Sequence, residues 1–420
     1  MSSLTGSSPG SSPGSLVAPA KTSQRLRVAV LNRNFDPTGG GAERYSIAMV
    51  ENLAALHDIH VFAQSIAHHH PGVSYHKVSK PLARPRWINQ LWFAFATWRA
   101  TRSGFDVVHS HENTWHGQVQ TVHVLPIRHN LFVGRAGWRR ALRWLKVVTS
   151  PRLLVYLWLE NLRYAARPGR TLVVTSNSLQ RVMAQTHPHT VPMLKVITPG
   201  VETAPGAALP ADKLAARQQL GLPEQGAVLL FVANDFQKKG LPALLKAVAL
   251  LSKRAISRGP EVPAPVTLAM VGNAKHAAAF AAQIKHPGLE PNVVFLGQLA
   301  DVSVAYQAAD ILVHPTLEDT FGMVVLEAMA HGLPVVVSAG RYCGIAEDLT
   351  HEINAMVLQD PTDSHVLAET LQALMNNEHL RARLGQAATG FATRHQWPNL
   401  CKLQNDTYFA SIGPSNNVLY

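Results

Sequence analysis

The sequence predicts an α/β protein made of two doubly wound, parallel-sheet domains. The chain has 420 residues and is 47% hydrophobic, which is too long for one ordinary core and suits two domains of roughly 180–200 residues each. Short apolar runs alternate with helical patterns along both halves, as expected of parallel strands joined by helical crossovers. A Pro-, Gly- and Ala-rich stretch over residues 200–211 separates the halves and predicts the linker.

The first domain is predicted to occupy residues 25–204. It opens with an apolar strand at 25–32, a glycine turn at 39–41 and a helix at 45–56. Residues 1–24 are rich in Ser, Gly and Pro, bury too little apolar surface to order themselves, and are predicted to form a disordered tail. The further strands of this domain are predicted at residues 60–64, 106–110, 171–176 and 195–201.

The second domain is predicted to occupy residues 205–395. A strand at 227–233, a polar loop and a helix at 244–253 begin it. The alternating rhythm is lost in residues 396–420, where a final helix over 397–411 is predicted to pack back on the first domain. The further strands are predicted at residues 266–272, 293–297, 309–314 and 335–338.

Cysteine content and hydropathy limit the class of protein. The spacing of the two cysteines, Cys343 and Cys401, fits neither a disulfide framework nor a metal site, so a reduced, cytoplasmic setting is expected. No segment reaches about 18 uninterrupted apolar residues, and the N-terminus lacks a basic segment followed by an apolar one. The sequence therefore predicts neither secretion nor a membrane span.

Positive charge and tryptophan are concentrated in one region. Residues 84–170 hold 14 Lys and Arg against three acids, and seven of the eight tryptophans. Indole beside arginine suits the headgroup zone of a membrane, and no nucleic-acid motif accompanies the charge. A membrane surface or an anionic acceptor is therefore favoured over nucleic acid, and a solvated face with core tryptophans is the ordinary alternative. The residues predicted to form the membrane surface, in two amphipathic helices, are Arg86, Trp87, Trp92, Trp138, Arg139, Arg140, Arg143 and Trp144.

The most informative stretch is a strand-loop-helix-strand unit over residues 314–338. Its loop and its helix start, at the beginning of 323–330, lie at the carboxyl end of a strand, where ligands bind in parallel sheets. Free N–H groups at a helix start favour a phosphate. Because a phosphate would repel Asp319 and Glu327, sugar hydroxyls are the partners expected for these carboxylates. A crossover whose acids are merely solvated is the alternative.

Two further segments carry groups suited to a diphosphate. Lys238 and Lys239 precede Gly240 in a strand-to-helix loop of the same domain, where an ammonium can neutralise a phosphate. Gly40 and Gly41 occupy a strand-to-helix turn of the first domain, and glycine lets a ligand approach the backbone. Taken alone, each segment is equally compatible with solvated lysines or a flexible turn. With the acidic stretch, they predict a phosphate-and-sugar site.

These segments resemble the signature of the retaining glycosyltransferases of family 4. In that family two acids eight residues apart flank Phe-Gly, and the second acid opens Glu-Ala-Met-Ala-x-Gly-x-Pro-Val, as Asp319 and Glu327 do here. The stretch Asp-Phe-Gln-Lys-Lys-Gly at 235–240 is similar to the version in bacterial lipopolysaccharide core glucosyltransferases. The resemblance covers most of residues 25–400 and implies the GT-B fold. Two Rossmann-like domains would face each other, the C-terminal one holding a nucleotide-sugar donor and the N-terminal one the acceptor.

The chain departs from the family pattern at two positions. The first acid is usually Glu in the family, so Asp319 is shorter by one methylene, and Glu318 beside it is a second candidate for the same role. Many relatives carry Arg four residues before the lysine, where this chain has Asp235, so Lys238 is expected to substitute for it.

The resemblance implies a role for each site residue. Glu327 is expected to bind the ribose hydroxyls of the donor, and Asp319 or Glu318 the hydroxyls of the transferred sugar. His123 matches a histidine that many members place against the donor sugar. The complete set expected to bind the donor is Gly40, Gly41, Lys238, Lys239, Phe321, Gly322, Met323, Val324 and Glu327.

Neither a metal nor a cofactor is expected at this site. The family resemblance implies no metal requirement, and the sequence has no Asp-x-Asp-type pair after a strand to hold Mg²⁺ or Mn²⁺ against a diphosphate. The two lysines and backbone N–H groups are therefore expected to balance the charge of the leaving group.

The expected function is retaining transfer of a hexose, glucose, from a UDP-linked donor. The expected acceptor is a lipopolysaccharide core or another glycolipid or polysaccharide, reached by peripheral association with the inner face of the cytoplasmic membrane. Two alternatives remain: a GT-B nucleotide-sugar epimerase or phosphorylase, and a non-catalytic sugar-binding protein of the membrane surface. The residues specify neither the base, the sugar nor the acceptor, because acceptor choice lies in loops without a readable code.

Overall fold

Two parallel sheets, one in each half of the chain, organise the structure. The computed structural model describes residues 25–82, 84–202, 205–257, 266–273, 280 and 293–412. The predicted tail at 1–24 and the last residues, 413–420, lie outside these ranges. Within them, the expected α/β architecture of two Rossmann-like domains is confirmed.

The N-terminal domain is built on seven parallel strands. They are β1 (Arg27–Leu31), β3 (Asp58–Ala63), β5 (Val73–Lys77), β6 (Val107–Ser110), β7 (Val119–Val122), β8 (Thr171–Val174) and β9 (Leu194–Val196), while β2 (Asn34–Phe35) pairs separately with β4 (Ser65–Ile66). The order across the sheet is β5-β3-β1-β6-β7-β8-β9. The central strands β6 and β7 are buried along their whole length, as expected of a sheet covered on both faces.

The C-terminal domain is built on six parallel strands. They are β10 (Val228–Ala233), β11 (Thr267–Gly272), β12 (Val293–Gly297), β13 (Ile311–His314), β14 (Val335–Ser338) and β15 (Met356–Leu358), in the order β12-β11-β10-β13-β14-β15. Successive residues of β10 enter different cores, Leu229 and Phe231 on one face and Leu230 on the other. This alternation shows that the sheet is packed on both sides.

Helices connect the strands of both sheets. Those of the N-terminal half are α1 (Gly41–Ala54), α2 (Arg86–Ala100), α3 (Ile127–Phe132), α4 (Gly137–Val148), α5 (Pro151–Tyr164) and α6 (Asn177–Thr186). Those of the C-terminal half are α7 (Pro210–Gln219), α8 (Leu241–Ser257), α9 (Ser303–Ala308), α10 (Met323–Ala330), α11 (Ser364–Asn376), α12 (Glu378–Arg394) and α13 (Trp397–Ser411). Short 3₁₀ turns lie at Pro188–Met193 and Gly344–Glu347.

The last helix, α13, returns to the N-terminal domain as the sequence predicts. The hydroxyl of Tyr408 shares a 2.8 Å hydrogen bond with Nδ1 of His109 on β6. Trp397 packs edge-on against Tyr45 of α1, with ring centroids 5.3 Å apart. The helix therefore completes the core of a domain whose other elements precede it by about 200 residues of sequence.

The chain crosses between the domains twice, and the two crossings lie side by side. The backbone N–H of Val201 donates to the carbonyl oxygen of His395 at 2.9 Å, and that of Trp397 donates back to Val201 at 3.0 Å. A Cβ at Gly200 would lie 2.8 Å from a methyl carbon of Leu400. Glycine thus allows the crossings to touch.

Several N-terminal elements are not predicted from the sequence, among them β5 and α5. The edge strand β5 has mostly half-buried and exposed side chains, so its hydrophobic alternation is weak. Helix α5 lies within the Arg- and Trp-rich region, where its helical period is not separable from that of α4. None of the helices among the described residues is long and apolar enough to cross a membrane.

Candidate active site

A cleft of about 1150 Å³ lies between the domains. Its walls come from loops that follow β1, β10 and β13, so it lies at the carboxyl ends of both sheets, as parallel sheets favour. Lys238 and Glu318 are absent from its described lining. The predicted residues that do line it are Gly40, Gly41, His123, Lys239, Asp319, Phe321, Gly322, Met323, Val324 and Glu327.

The start of α10 presents an uncapped helix end to the cleft. Gly322 has a φ of 103°, which glycine adopts readily. A Cβ at Gly322 would lie 2.7 Å from the sulfur of Cys343, so a larger residue would be strained and crowded. Among the described residues, no side chain caps the start of α10. The first-turn N–H groups, at Met323 and Val324, therefore remain suited to a ligand.

Asp319 is half-buried and forms an ion pair on the cleft wall. Its Oδ2 lies 2.6 Å from the Lys239 ammonium and 3.1 Å from Nε2 of His314. Burial opposes the negative charge, but the Lys239 cation and the hydrogen bond to His314 outweigh it and hold the pKa of Asp319 far below its ordinary value. Asp319 is therefore a carboxylate at every physiological pH and can accept hydroxyl hydrogen bonds.

The neighbouring residues Glu318 and Lys238 point outward. Their side chains pair with each other, with Nζ 3.2 Å from Oε1, and are 43% and 58% exposed. The backbone carbonyl oxygen of Glu318 accepts from Lys239 at 3.0 Å. The structure thus brings Lys239 and Asp319 together in the cleft and leaves the other lysine and the other acid at the surface.

Glu327 is held by a cation from the opposite domain. Arg44 Nη1, on α1, lies 3.1 Å from Oε1 of Glu327. The Tyr306 hydroxyl donates to Oε2 at 2.7 Å. The carboxylate in turn raises the pKa of the Arg44 guanidinium, which therefore stays charged.

His123 lies at the N-terminal wall beside His111, and both histidines are half-buried. Its Nε2 shares a 2.8 Å hydrogen bond with Nδ1 of His111, and the two rings stack with centroids 5.1 Å apart. Burial, together with the nearby Arg163 charge, lowers the pKa of His123 to about 3. The imidazole is therefore neutral near pH 7. It can exchange a hydrogen bond with a sugar hydroxyl without bringing charge.

Side-chain hydrogen bonds join the domains beside the cleft. Thr320 Oγ1 donates to the carbonyl oxygen of His123 at 2.6 Å, and Ser176 Oγ donates to the carbonyl oxygen of Thr320 at 2.6 Å. An ion pair between Arg181 and Glu347 also crosses this boundary. The loop that carries Asp319 is thus fixed to the N-terminal domain.

Three residues in contact with the predicted carboxylates were not predicted as site residues: Arg44, Tyr306 and His314. Arg44 ends the glycine motif Gly-Gly-Ala-Glu-Arg, and this position in the motif could have identified it as a site residue. His314 closes β13 five residues before Asp319, which also places it at the ligand edge. Tyr306 lies in α9 without a motif around it, and no sequence signal identifies it.

Donor atoms suited to a metal come together at one point of the cleft. One ligand atom each from His314, Asp319 and Cys343 lies within 4.8 Å of the others. However, the Lys239 ammonium already neutralises Asp319, and burial raises the pKa of the Cys343 thiol, so this sulfur is protonated. The contacts around Asp319 therefore fit an ion pair with lysine better than the coordination of a metal ion.

The predicted membrane residues lie mainly on α2 and α4. Trp138 and Trp144 on α4 are 70% and 49% exposed, and Leu142 and Leu145 are also exposed. We call the exposed side chains of α4 the Trp/Arg surface; it comprises Trp138, Arg139, Arg140, Ala141, Leu142, Trp144, Leu145, Lys146 and Val148. On α2, Arg86 and Trp92 are exposed and Trp87 is half-buried, as is Arg143 on α4.

Two protein-family models divide the chain between them. A model described as Glycosyltransferase Family 4 matches residues 39–205, and one described as Glycosyl transferases group 1 matches residues 212–391. The chain belongs to these glycosyltransferases. The two matches coincide with the two walls of the cleft, one in each domain.

Curated relatives of this glycosyltransferase chain carry two different names. A D-inositol 3-phosphate glycosyltransferase of Salinispora arenicola is 31% identical over 54% of this chain and 52% of its own length. The lipopolysaccharide glucosyltransferase WaaG of Escherichia coli is 30% identical over 50% of this chain and 54% of its own length. The chain thus spans about half the length of each of these relatives.

Solved structures confirm the GT-B fold of this glycosyltransferase. WaaG, a glycosyltransferase of lipopolysaccharide biosynthesis, superimposes with a TM-score of 0.75 at 22% identity, covering 90% of this chain and 98% of that one. The Anabaena protein Alr3699/HepE, in complex with UDP and glucose, gives 0.70 at 20% identity, with coverages of 91% and 99%.

Proposed function

We propose that the chain is a retaining glycosyltransferase that transfers glucose from a UDP-linked donor to a lipopolysaccharide core or another glycolipid or polysaccharide. The reaction would take place at the inner face of the cytoplasmic membrane. The observation that carries the proposal is the pair of carboxylates Asp319 and Glu327, each bound by a cation on the wall of one interdomain cleft. Carboxylates of this kind suit sugar hydroxyls, and the cations beside them suit a diphosphate.

The leaving group is assigned to the uncapped start of α10. Breaking the bond between the anomeric carbon and the diphosphate leaves negative charge on the diphosphate, whose stabilisation is the main task of the site. The first-turn N–H groups after Gly322 and the Lys239 ammonium lie on adjacent loops that can supply it. Because both are fixed before reaction, little reorganisation accompanies the development of charge.

The two sugars of the donor are assigned to the carboxylates and to His123. Glu327, one helical turn beyond Met323, would accept from the ribose hydroxyls. Asp319 would accept from hydroxyls of the transferred glucose, and the neutral His123 on the facing wall would hydrogen-bond the same sugar. The Alr3699/HepE structure, which holds UDP and glucose in the same fold, supports this choice of donor.

The Trp/Arg surface supports a lipid-linked acceptor. It belongs to the N-terminal domain, where the acceptor is expected, and combines exposed indole and leucine side chains with Arg139 and Arg140. Such a helix can lie in the headgroup region of an anionic membrane. The similarity to WaaG, whose name specifies lipopolysaccharide, agrees with this acceptor class.

A phosphorylated polyol is the second candidate acceptor. It is favoured by the relative named D-inositol 3-phosphate glycosyltransferase, which is 31% identical to this chain. Such an acceptor would be small and anionic, and would need cations inside the N-terminal wall rather than a membrane surface. Assays with inositol phosphate and with a lipid-linked oligosaccharide therefore separate the two candidates.

The proposal is tested by product analysis with purified protein. UDP-glucose is incubated with lipopolysaccharide core acceptor, with inositol phosphate and with neither, and UDP release and glucosylated product are measured. The expected result is acceptor-dependent UDP release and a product whose anomeric configuration, measured by NMR coupling, equals that of the donor. An inverted product would exclude retention, while a phosphate-dependent sugar phosphate or an epimerised donor would indicate the phosphorylase or epimerase alternative.

A variant protein is needed to test the alternative that the chain is a non-catalytic sugar-binding protein. A protein in which Asp319→Asn and Glu327→Gln are combined loses both proposed hydroxyl acceptors. If this double variant matches the wild type in every turnover assay, the site is not catalytic and a sugar-binding role is favoured.

A further inference from the structure

The described residues that line the cleft carry more negative than positive charge. Six carboxylates line it, against two Lys or Arg side chains, Arg44 and Lys239. A nucleoside diphosphate brings further negative charge and needs cations within hydrogen-bond distance. Both cations are engaged with carboxylates, Arg44 with Glu327 and Lys239 with Asp319. An incoming diphosphate therefore competes with these carboxylates for the two cations.

The two helices that carry Arg44 and Glu327 begin at the same place in the cleft. A Cβ at Gly41, the first residue of α1, would lie 3.4 Å from the sulfur of Met323, the first residue of α10. Arg44 and Glu327 follow these starts by about one turn each, a rise of about 5.4 Å. An anion bound at the helix starts would therefore lie within one turn of the Arg44 guanidinium.

Both carboxylate oxygens of Glu327 already have partners. Oε2 accepts from the Tyr306 hydroxyl at 2.7 Å, and Arg44 Nη1 lies 3.1 Å from Oε1 and 3.4 Å from Oε2. A carboxylate has about four lone-pair sites. Two vicinal ribose hydroxyls would therefore compete with Arg44 for the acceptor sites that Tyr306 leaves on Glu327.

The same loop offers a second lysine, but it does not reach the cleft. Lys238 pairs with Glu318 at the surface and is absent from the described lining. Among the described lining residues, the second Lys or Arg side chain therefore comes from the opposite domain and is Arg44.

We propose that Arg44 is a donor-binding residue that exchanges partners. When the donor enters, its ribose hydroxyls take over Glu327, and the released Arg44 binds the diphosphate together with Lys239. This inference rests on the proposed function, since it requires a nucleoside diphosphate at the start of α10. It adds a diphosphate ligand from the N-terminal domain, so that donor binding joins the two domains through charge.

The test compares a nucleoside with its diphosphate by isothermal titration calorimetry. Uridine probes the ribose contact alone, and UDP adds the diphosphate; guanosine with GDP and adenosine with ADP are run alongside. Arg44→Met removes the guanidinium without adding a donor. We expect it to weaken UDP binding by about tenfold or more, with uridine affinity unchanged or increased because Glu327 is free. Arg44→Lys, which keeps the charge, should retain part of the UDP affinity.

Arg181→Met is the matched control. It also removes an ion pair between the domains, with Glu347, but lies outside the described cleft lining. It should leave the ratio of UDP to uridine affinity unchanged. Equal losses of UDP and uridine affinity in Arg44→Met, or no loss of either, would overturn the exchange.

Glu327→Gln provides a second approach if Arg44→Met does not fold. It should weaken uridine binding while keeping the extra affinity that the diphosphate confers, because Arg44 remains available. Loss of that extra affinity would contradict the exchange. A wild type that binds none of the three diphosphates would instead refute the proposed function, whereas binding that depends on Lys239 but not on Arg44 would refute the exchange alone.

Discussion

The hydroxyl of Thr320 donates a 2.6 Å hydrogen bond to the carbonyl oxygen of His123, across the boundary between the two domains. Thr320 directly follows Asp319, so this bond, together with the one from Ser176 to the Thr320 carbonyl oxygen, holds the C-terminal acid beside the N-terminal histidine. A contact of this kind determines whether both groups can reach one sugar.

Replacing Thr320 with Val should therefore impair turnover more than it impairs folding. Valine keeps the shape of threonine but lacks the hydroxyl that donates the hydrogen bond. We expect kcat to fall by roughly tenfold or more, because Asp319 and His123 would no longer be held at the same relative position. The free energy of unfolding should fall by only about 1 kcal/mol. Steady-state kinetics and urea unfolding measure the two effects. Thr393→Val, which removes an exposed hydroxyl bonded within its own helix, should change neither kcat nor KM.

The adjacent acids Glu318 and Asp319 form a matched pair of substitutions. Asp319→Asn should lower kcat by about 100-fold or more, because it removes a preorganised carboxylate beside the donor. Glu318→Gln breaks an exposed pair with Lys238, which is worth little, and should change kcat by less than about twofold. The reverse pattern in the two rate constants would assign the first acidic position of the motif to Glu318.

The adjacent lysines allow the same comparison for donor affinity. Lys239→Met removes the ammonium bound to Asp319 inside the cleft, and we expect UDP affinity to fall by about tenfold or more. Lys238→Met carries the same change of charge at the surface, where solvent screens it. Its UDP affinity, measured by calorimetry, should stay near that of the wild type. Equal losses in the two variants would indicate a general electrostatic effect.

Buried neutral histidines should make the protein less stable in acid. Burial, with smaller contributions from His123 and Arg163, lowers the pKa of His109 to about 3, from an ordinary value of 6.5. Between these values the unfolded chain binds a proton that the folded protein does not, so the free energy of unfolding falls as pH falls through this window. One such group contributes a slope of up to about 1.4 kcal/mol per pH unit.

Substituting His109 tests this dependence. His109→Gln keeps hydrogen-bonding groups for Tyr408 and Thr121 but cannot take up the proton. Urea unfolding at pH 7, 6 and 5 should show a shallower loss of stability than in the wild type. His365→Gln, at an exposed position, should keep the wild-type slope. A slope in the His109 variant as steep as that of the wild type would assign the acid sensitivity to other groups.

Charge reversal on the Trp/Arg surface should weaken vesicle binding. Arg139→Glu with Arg140→Glu should weaken sedimentation with phosphatidylglycerol vesicles by at least about fivefold per residue, since each basic residue near such a surface contributes about 1 kcal/mol. Transfer to a water-soluble acceptor should be unaffected. Arg383→Glu with Lys402→Glu makes the same charge change at exposed positions of α12 and α13 and should retain binding. Vesicle binding that does not weaken with added salt would contradict an electrostatic contribution of the Trp/Arg surface.

The fold was predictable because both sheets are parallel and buried. Strands such as β10 are apolar along their whole length, and helix α10, residues 323–330, has the bounds that its sequence pattern predicts. The edge strand β5 escaped prediction because its side chains are only half-buried or exposed, so that burial imposes no alternation on them.

The site was predictable in part, because motifs report local chain geometry and not contacts across the cleft. Asp319 and Glu327 follow from their place on a strand-loop-helix unit. Lys239 lines the cleft and Lys238 does not, because their side chains leave the loop in different directions. Two successive lysines give no sequence signal that distinguishes these directions. Arg44 and Tyr306 meet Glu327 only through the relative placement of distant elements, which no local pattern contains.

The paired crossings at Val201 and Trp397 give this enzyme a single pivot. Both connections pass through one point and are hydrogen-bonded to each other, so any change in the angle between the domains would pivot there, once the contacts of Thr320 with His123 and Ser176 are broken. Groups beside this pivot, such as Trp397, would keep a nearly constant separation while the angle between the domains changed. Groups far from it would travel furthest, so the width of the mouth can vary while the back of the cleft keeps its shape.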